Sequence, residues 1–334
     1  MTYREEEKKK QVERLFKLLK NKPTFYKDYM MNLTGDSSTS TKCAYAYNAD
    51  IFFQWMIDSN PMLQTKRIRD ITLDDLTALT PLDVNEFVVT ISATRKTKTV
   101  NQIVASVSSM YKELMRFNKI ANNPFSIVKR IKESEQAIIY LTDSEYRTLM
   151  NTVKYGTGLT DRELKFHHPV RDIALFSLFL DTGCRVSEIV GIDVRDFEFD
   201  EHRVLITRKG GKSTYVWFSD TTEDLLLEYE KYRLTTLLKP QDLEEAFFLN
   251  QRGTRKSIRS IEQLLEKYVN AAGFSKHISP HKLRSSYAMH LLEVTGNISL
   301  VQTALDHKNI QTSQVYARAS KTQVRDLRNT KLFE

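Results

Sequence analysis

Cysteine is nearly absent: Cys43 and Cys184 are the two in 334 residues, far apart and without CxxC spacing. That excludes a disulfide framework, offers no zinc-ligand spacing, and points to a reducing cytoplasm. Long apolar runs are missing too. No segment approaches the ~20 apolar residues of a membrane span, and the opening MTYREEEKKKQVERLF is charged where a signal peptide is apolar. No membrane role is expected. Acidic residues are in deficit, 42 Asp+Glu against 50 Lys+Arg, which leaves a formal net charge of +8 and favours a polyanionic partner.

What is present is a soluble, globular composition, 41% hydrophobic and 28% charged, in a chain long enough for two domains with their own cores. Residues 4–120 read as helices. Tyr45, Ala49, Phe52, Phe53 and Met56 fall at helical spacing between Lys42 and Ser59, with Asn60-Pro61 as the stop. A second stripe, Val100, Ile103, Val104, Val107, Tyr111, Leu114 and Met115, predicts a helix over Thr99–Asn118, and together these make a small all-helical domain. The hydroxyl-rich stretch from Gly35 to Thr41 reads as a loop.

Asn122-Asn123-Pro124 closes that domain, placed at residues 1–122, and the polar, basic run that follows reads as a linker over 123–138, with the boundary near residue 135. The second domain, 139–334, opens on a capping box at Thr142 and Glu145. Arg171–Leu180 is apolar almost all round, as a buried helix is, and Gly183 suits the left-handed position after it. Arg203–Thr207 and Ser213–Phe218 alternate like strands about a Lys209-Gly210-Gly211-Lys212 tip. Helices return over Thr222–Leu238, Ile258–Ala272 and Ser279–Thr295, the last with Ser279 as N-cap and Pro280 at its first position. The fold class is therefore mainly α, a helical N-terminal domain followed by a mixed α/β domain with a small antiparallel sheet.

The residues that carry chemistry are Arg185, Lys209, His281, Arg284, His307 and Tyr316. Singly, each has an ordinary reading as a surface, ion-pairing or packing residue. As a set they fit covalent attack on a phosphodiester. Two arginines can clamp non-bridging oxygens, a lysine can protonate a leaving oxygen, histidines can move protons, and a phenol can attack phosphorus. His281 and Arg284, three apart, share a face of the first turn of a helix whose unpaired N–H groups also favour an anion. Glu188 stands three residues after Arg185, placed to orient its guanidinium in a bidentate pair. Arg208 and Lys212 flank the tip as candidate phosphate contacts, as do Lys42, Arg95, Lys96, Lys98, Arg255 and Lys256. The set calls for neither a cofactor nor a metal.

TGCRVSEIVGIDVRDF (182–197), the RKGGK tip, SPHKLRSSYAMHLL (279–292) and ALDHKNIQTSQVYAR (304–318) resemble the tyrosine recombinase, or phage integrase, family in order, spacing and local structure. The resemblance covers about residues 140–325, and the helical domain resembles that family's core-binding domain. Within the family the chain looks most like Xer-type recombinases of Firmicutes.

The resemblance implies that Arg185 and Arg284 bind the scissile phosphate, with a further hydrogen bond from His307. Lys209 is then general acid to the 5′-oxygen, and His281 assists proton transfer from Tyr316, which forms a 3′-phosphotyrosine. It implies double-stranded DNA with paired inverted half-sites, a homo-tetramer on two sites, and possible activation by a septal DNA translocase or accessory protein. The tail from Ala319 to Glu334 is expected to dock on a neighbouring copy or on its own domain.

Chromosome dimer resolution competes with integration or excision of a mobile element. A type IB topoisomerase and a non-catalytic DNA-binding protein are the readings from other classes. Two positions depart from the family pattern: Asp306 stands where Gly usually precedes the second histidine, and is expected to face away from the phosphate, and Cys184 replaces an aliphatic residue and is expected to be buried.

Overall fold

The computed structural model describes residues 3–33, 38–133, 137–208, 210–237 and 245–306. They fall into two compact units divided between Glu135 and Gln136.

The first unit holds α1 (Tyr3–Leu19), α2 (Thr24–Asn32), α3 (Thr39–Ser59), α4 (Leu73–Thr77), α5 (Pro81–Ser92) and α6 (Thr97–Arg116). α3 starts earlier than its apolar periodicity suggests because the Ser38 hydroxyl accepts from the Thr41 N–H at 3.2 Å, satisfying a donor of the first turn. Part of the hydroxyl-rich stretch expected as a loop is thus a helix start. Thr72 with Asp75 and Thr80 with Asp83 close capping boxes on α4 and α5. α6 buries Val100, Ile103, Val107, Tyr111 and Leu114, while Met115, at the edge of the expected stripe, is exposed.

Phe52 of α3 is a hub of this core, its ring 5.3 Å from that of Phe87 and 5.5 Å from that of Phe125. Phe125 arrives on a 3-10 turn, Pro124–Ile127, started by the Asn123 carboxamide oxygen accepting from the Phe125 N–H at 3.0 Å. The segment expected as a linker over 123–138 therefore begins inside the first unit's core, because its one aromatic side chain has an apolar site to fill.

The second unit comprises α7 (Asp143–Tyr155), α8 (Asp161–Leu164), α9 (Pro169–Thr182), α10 (Val186–Val190), β1 (Phe197–Glu198), β2 (Arg203–Thr207), β3 (Ser213–Trp217), α11 (Asp220–Tyr232), α12 (Ile258–Ala271), α13 (Pro280–Thr295) and α14 (Ile298–Leu305). α9 packs against α7, α11 and α13, and buries Ala174, Leu175, Phe176, Leu178 and Phe179. Its first turn is not apolar. Arg171 and Asp172 are buried as an ion pair 2.7 Å apart, and Tyr268 of α12 donates to the other Asp172 oxygen at 2.6 Å.

The sheet is antiparallel in the order β1-β2-β3, with Val204 opposite both Phe197 and Val216. β1 is two residues long, too short for an alternation to reveal. The helix expected over Thr222–Leu238 stops at Tyr232 and continues as a wider π turn, Arg233–Leu237, where the Arg233 guanidinium donates twice to the Ala246 carbonyl. Ser279 precedes α13 without a side-chain cap bond, and Pro280 begins the helix instead. Among the described residues no helix is long and apolar enough to cross a membrane.

Candidate active site

α9 ends at Gly183, whose φ of +59° is the left-handed conformation that costs glycine least. A Cβ here would lie 2.3 Å from Cδ1 of Tyr287, so the absence of a side chain also lets α13 approach. The carbonyl end of the turn is put to use: the Gly183 carbonyl accepts from Nη1 of Arg284 on α13 at 2.5 Å. Nη2 of Arg284 donates to the carbonyl of Leu305, the last residue of α14. Arg284 is 2% exposed and thus joins the ends of two helices from inside the unit.

Two residues after Gly183, Arg185 opens α10. Glu188 reaches back to it with both oxygens, but not as a bidentate pair. Oε1 accepts from Arg185 Nη1 at 2.8 Å and Oε2 accepts from the Arg185 backbone N–H at 2.8 Å. The second bond satisfies a donor at the helix start, so one carboxylate fixes both the backbone and the side chain of Arg185. The Arg185 side chain is 39% exposed and Glu188 is 3% exposed, leaving the guanidinium partly open to a ligand above a buried acid.

Arg208, at the end of β2, is the surprise of the site. Expected as a phosphate contact beside the tip, it is buried, with Nη1 3.5 Å from Glu188 Oε2 and Nη2 donating to the Ala304 carbonyl at 3.3 Å. Three guanidinium groups thus gather about Glu188. Burial first, and then the positive charge of Arg185, push the Arg284 guanidinium down to about 10, still protonated at neutral pH. An excess of positive charge in a partly water-excluded site is what an anion would neutralise.

His281 occupies the first turn of α13 and is exposed, one turn before the buried Arg284. Lys209, His307 and Tyr316 lie outside the described residues, as does the tail from Ala319 to Glu334. The structure brings together Arg185 and Arg284, with Glu188 between them and Arg208. Asp306 closes α14 at φ +49°, the left-handed conformation most easily taken by the glycine usual in the family, and its Oδ2 stands 4.0 Å from Arg208 Nε. Cys184 is 1% exposed, and burial raises its thiol to about 11. A cavity of about 300 Å³ opens beside this cluster, with Arg208, Asp306, Ala304, Tyr287 and Trp217 in its walls.

The Phage integrase family model matches residues 139–323, more than half of the chain. The chain belongs to the phage integrase family of tyrosine recombinases. Members of this family cleave and rejoin DNA.

Among relatives, the recombinase is 32% identical over 230 residues to tyrosine recombinase XerC of Bacillus pumilus, covering 68% of this chain and 72% of the relative. It is 31% identical over 233 residues to tyrosine recombinase XerD of Oceanobacillus iheyensis, covering 70% and 75%. In fold it resembles XerH site-specific recombinase bound to palindromic difH substrate in a post-cleavage complex, with a TM-score of 0.69 at 19% identity over 88% of this chain and 80% of that one. It also resembles a lambda integrase(75-356) dimer bound to a COC′ core site, with a TM-score of 0.64 at 15% identity over 93% and 97%.

The other cations of the recombinase singled out by sequence divide into buried or bonded groups and exposed ones. Arg255 donates to the carbonyls of Val190 and Ile192 and pairs with Asp193 at 2.5 Å, and Lys256 is 5% exposed. Neither is placed to meet a phosphate. Lys42 donates to the Met30 carbonyl at 3.0 Å, whereas Lys96, Lys98 and Lys212 are exposed. Sequence patterning cannot separate these groups, because a basic residue looks alike whether it donates to a carbonyl or faces water.

Proposed function

We propose that the recombinase performs site-specific strand exchange at paired inverted half-sites on duplex DNA, in a Xer-like role in the cytoplasm. The observation that carries the reading is the convergence of Arg185 and Arg284: one partly exposed over Glu188, the other buried between Gly183 and Leu305, both positively charged. Two guanidinium groups fixed in this way can hold the non-bridging oxygens of a phosphodiester and gain strength as negative charge grows on them in the transition state.

In this reading the Tyr316 oxygen attacks phosphorus, and its proton leaves with help from His281. The bond from phosphorus to the 5′-oxygen breaks, and Lys209 supplies that oxygen with a proton. His307 adds a hydrogen bond to the phosphate. The product is a 3′-phosphotyrosine and a free 5′-hydroxyl. Attack by the 5′-hydroxyl of the partner strand reverses these steps and reseals the DNA in exchanged form, the bond energy having been kept in the protein-DNA link. Four copies on two sites, joined through the tail from Ala319 to Glu334, would make the exchange reciprocal, and a septal DNA translocase or accessory protein would be the activating partner.

The test is recovery of protein-DNA adducts from expressing cells under denaturing conditions, with a Tyr316→Phe strain alongside and the attached DNA sequenced. Adducts that vanish in the variant and map to one palindromic chromosomal site are expected. Mapping to the ends of a mobile element would replace chromosome dimer resolution with integration or excision. No Tyr316-dependent adduct, with DNA binding verified, would leave a non-catalytic DNA-binding protein.

A further inference from the structure

The connection between β2 and β3 is built on two glycines without side-chain packing. Gly210 and Gly211 both have positive φ, +97° and +87°, and a Cβ built on either would meet nothing within 4 Å. A general acid must nevertheless sit within a fraction of an ångström of its acceptor to act. The residue immediately before Lys209 is the tip's buried anchor. Arg208 donates its backbone N–H to the Lys212 carbonyl at 2.8 Å and accepts from the Gly211 N–H at 3.1 Å, closing the turn. Its side chain then runs inward, 6% exposed.

Three contacts of that side chain lead to three parts of the site. Nη1 lies 3.5 Å from Glu188 Oε2, the oxygen that also accepts the Arg185 backbone N–H. Nη2 donates to Ala304, one carbonyl before the Leu305 carbonyl held by Arg284. Nε, buried and with no hydrogen-bond partner among the described residues, faces Asp306 Oδ2 at 4.0 Å. Two arginines thus grip successive carbonyls at the negative end of the α14 dipole, where cations are favoured.

We infer that Arg208 is a positioning residue for proton transfer to the leaving 5′-oxygen, fixing the Lys209 tip to the carboxylate that orients Arg185 and to the end of α14. The inference rests on the recombinase reading above. Asp306 is its outer partner: at 54% exposed and 4.0 Å it contributes the small share of a peripheral ion pair, whereas Glu188, 3% exposed, contributes the main one. Arg208 touches no reacting atom. Its removal should act through Lys209, and that distinguishes it from a residue that merely holds the fold.

The experiment is single-turnover formation of the covalent adduct by the full-length chain on a nicked duplex of the site recovered by adduct mapping. The duplex is made once with oxygen and once with sulfur at the 5′-bridging position. A thiolate leaves without a proton, since a thiol ionises near 8.5, far below an alcohol. Arg208→Met is expected to slow cleavage about 100-fold on the oxygen substrate, the loss of a positioned general acid, and to return close to the unaltered rate on sulfur. Lys209→Ala should show the same pattern, and Arg185→Ala should stay slow on both.

Arg208→Lys, which keeps the charge but not the fork, covers the case in which Arg208→Met melts early; the same rescue by sulfur at a smaller loss is expected. Asp306→Asn, which tolerates the left-handed backbone, should cost about threefold on oxygen, as a half-exposed pair would, and nothing further once Arg208 is gone.

An unchanged rate on oxygen in a folded Arg208 variant, or a loss equal on both substrates, overturns the inference and leaves the recombinase reading intact. If the unaltered chain forms no adduct on either substrate, the recombinase reading fails and the inference fails with it.

Discussion

The two units build their interiors from different materials. Among the described residues, the first buries Lys22 alone of its charged side chains, against Asp50 at 2.6 Å, and otherwise packs Phe52, Phe53, Phe87, Tyr111 and their neighbours. The second buries Arg171, Asp172, Glu188, Arg208, Arg233, Lys256 and Arg284. Apolar burial stabilises in proportion to area, whereas buried charge costs desolvation and returns it only where partners and hydrogen bonds are complete. The second unit therefore carries the desolvation cost of fixed charge around Glu188, charge that in the proposed reaction would stabilise the anionic transition state. The first unit has no such demand on its core.

The comparison predicts where substitutions read out as lost chemistry and where as lost stability. The largest effect belongs to Arg284→Met. Removing a guanidinium fixed on Gly183 and Leu305 should slow adduct formation about 1000-fold, roughly 4 kcal/mol of transition-state stabilisation. Single-turnover cleavage checks it. A loss below tenfold would show that the buried charge is structural and that the contrast between the units has no bearing on function.

Next is Asp172→Asn, in the same unit but away from Glu188. The variant leaves Arg171 buried, with the Leu249 carbonyl at 3.3 Å and no carboxylate beside it, and should cost about 3 kcal/mol in urea unfolding. Cleavage by the folded fraction should be unaltered. This separates charge buried for the fold from charge buried for the reaction.

Lys256→Met reverses the sign. Burial first, and then Arg171, depress the Lys256 ammonium from 10.5 to about 8. Its unfolded form therefore binds more protons between about pH 8 and 10.5, and the unaltered chain gains stability as pH rises through that window. Below it the full cost of a buried ammonium is present. The variant should be more stable at pH 7 by about 2 kcal/mol and lose the rise between pH 8 and 10.5, measured by urea unfolding across pH. A destabilised variant would mean that Lys256 has a compensating partner, and that charge in the second unit's interior is less costly than its burial implies.

What could be read from sequence follows the same division. Apolar periodicity placed α3, α6, α9, α12 and both strands of the β2-β3 hairpin within a few residues, because each buries a continuous stripe or alternates cleanly. It did not show that Pro124 and Phe125 return to the first core, since two residues make no period. In the site, Arg185, Glu188 and Arg284 were recognisable by spacing, because helix geometry fixes which neighbours share a turn. Arg208 was not. Its burial depends on α10 and α14 meeting β2, contacts between segments distant in the chain, and a basic hairpin residue ordinarily faces water. The Arg171-Asp172 pair had a local signal, two charges in an otherwise apolar helix, but its partner Tyr268 lies on α12 and leaves no mark near it.

The smallest effect tests the first unit. Ile103, fully buried on α6, loses one methylene in Ile103→Val, and the transfer and cavity terms together should cost about 1 kcal/mol. The neighbouring side chains are apolar, so nothing is left unpaired and no charge moves. Urea unfolding should show a lower midpoint with the slope unchanged, and the rate of adduct formation at saturating protein should stay at the unaltered value. If that rate falls as well, packing in the helical unit reaches the chemistry around Glu188. The two interiors would then have to be treated as coupled, and the division of labour between apolar area and fixed charge would lose its simplest form.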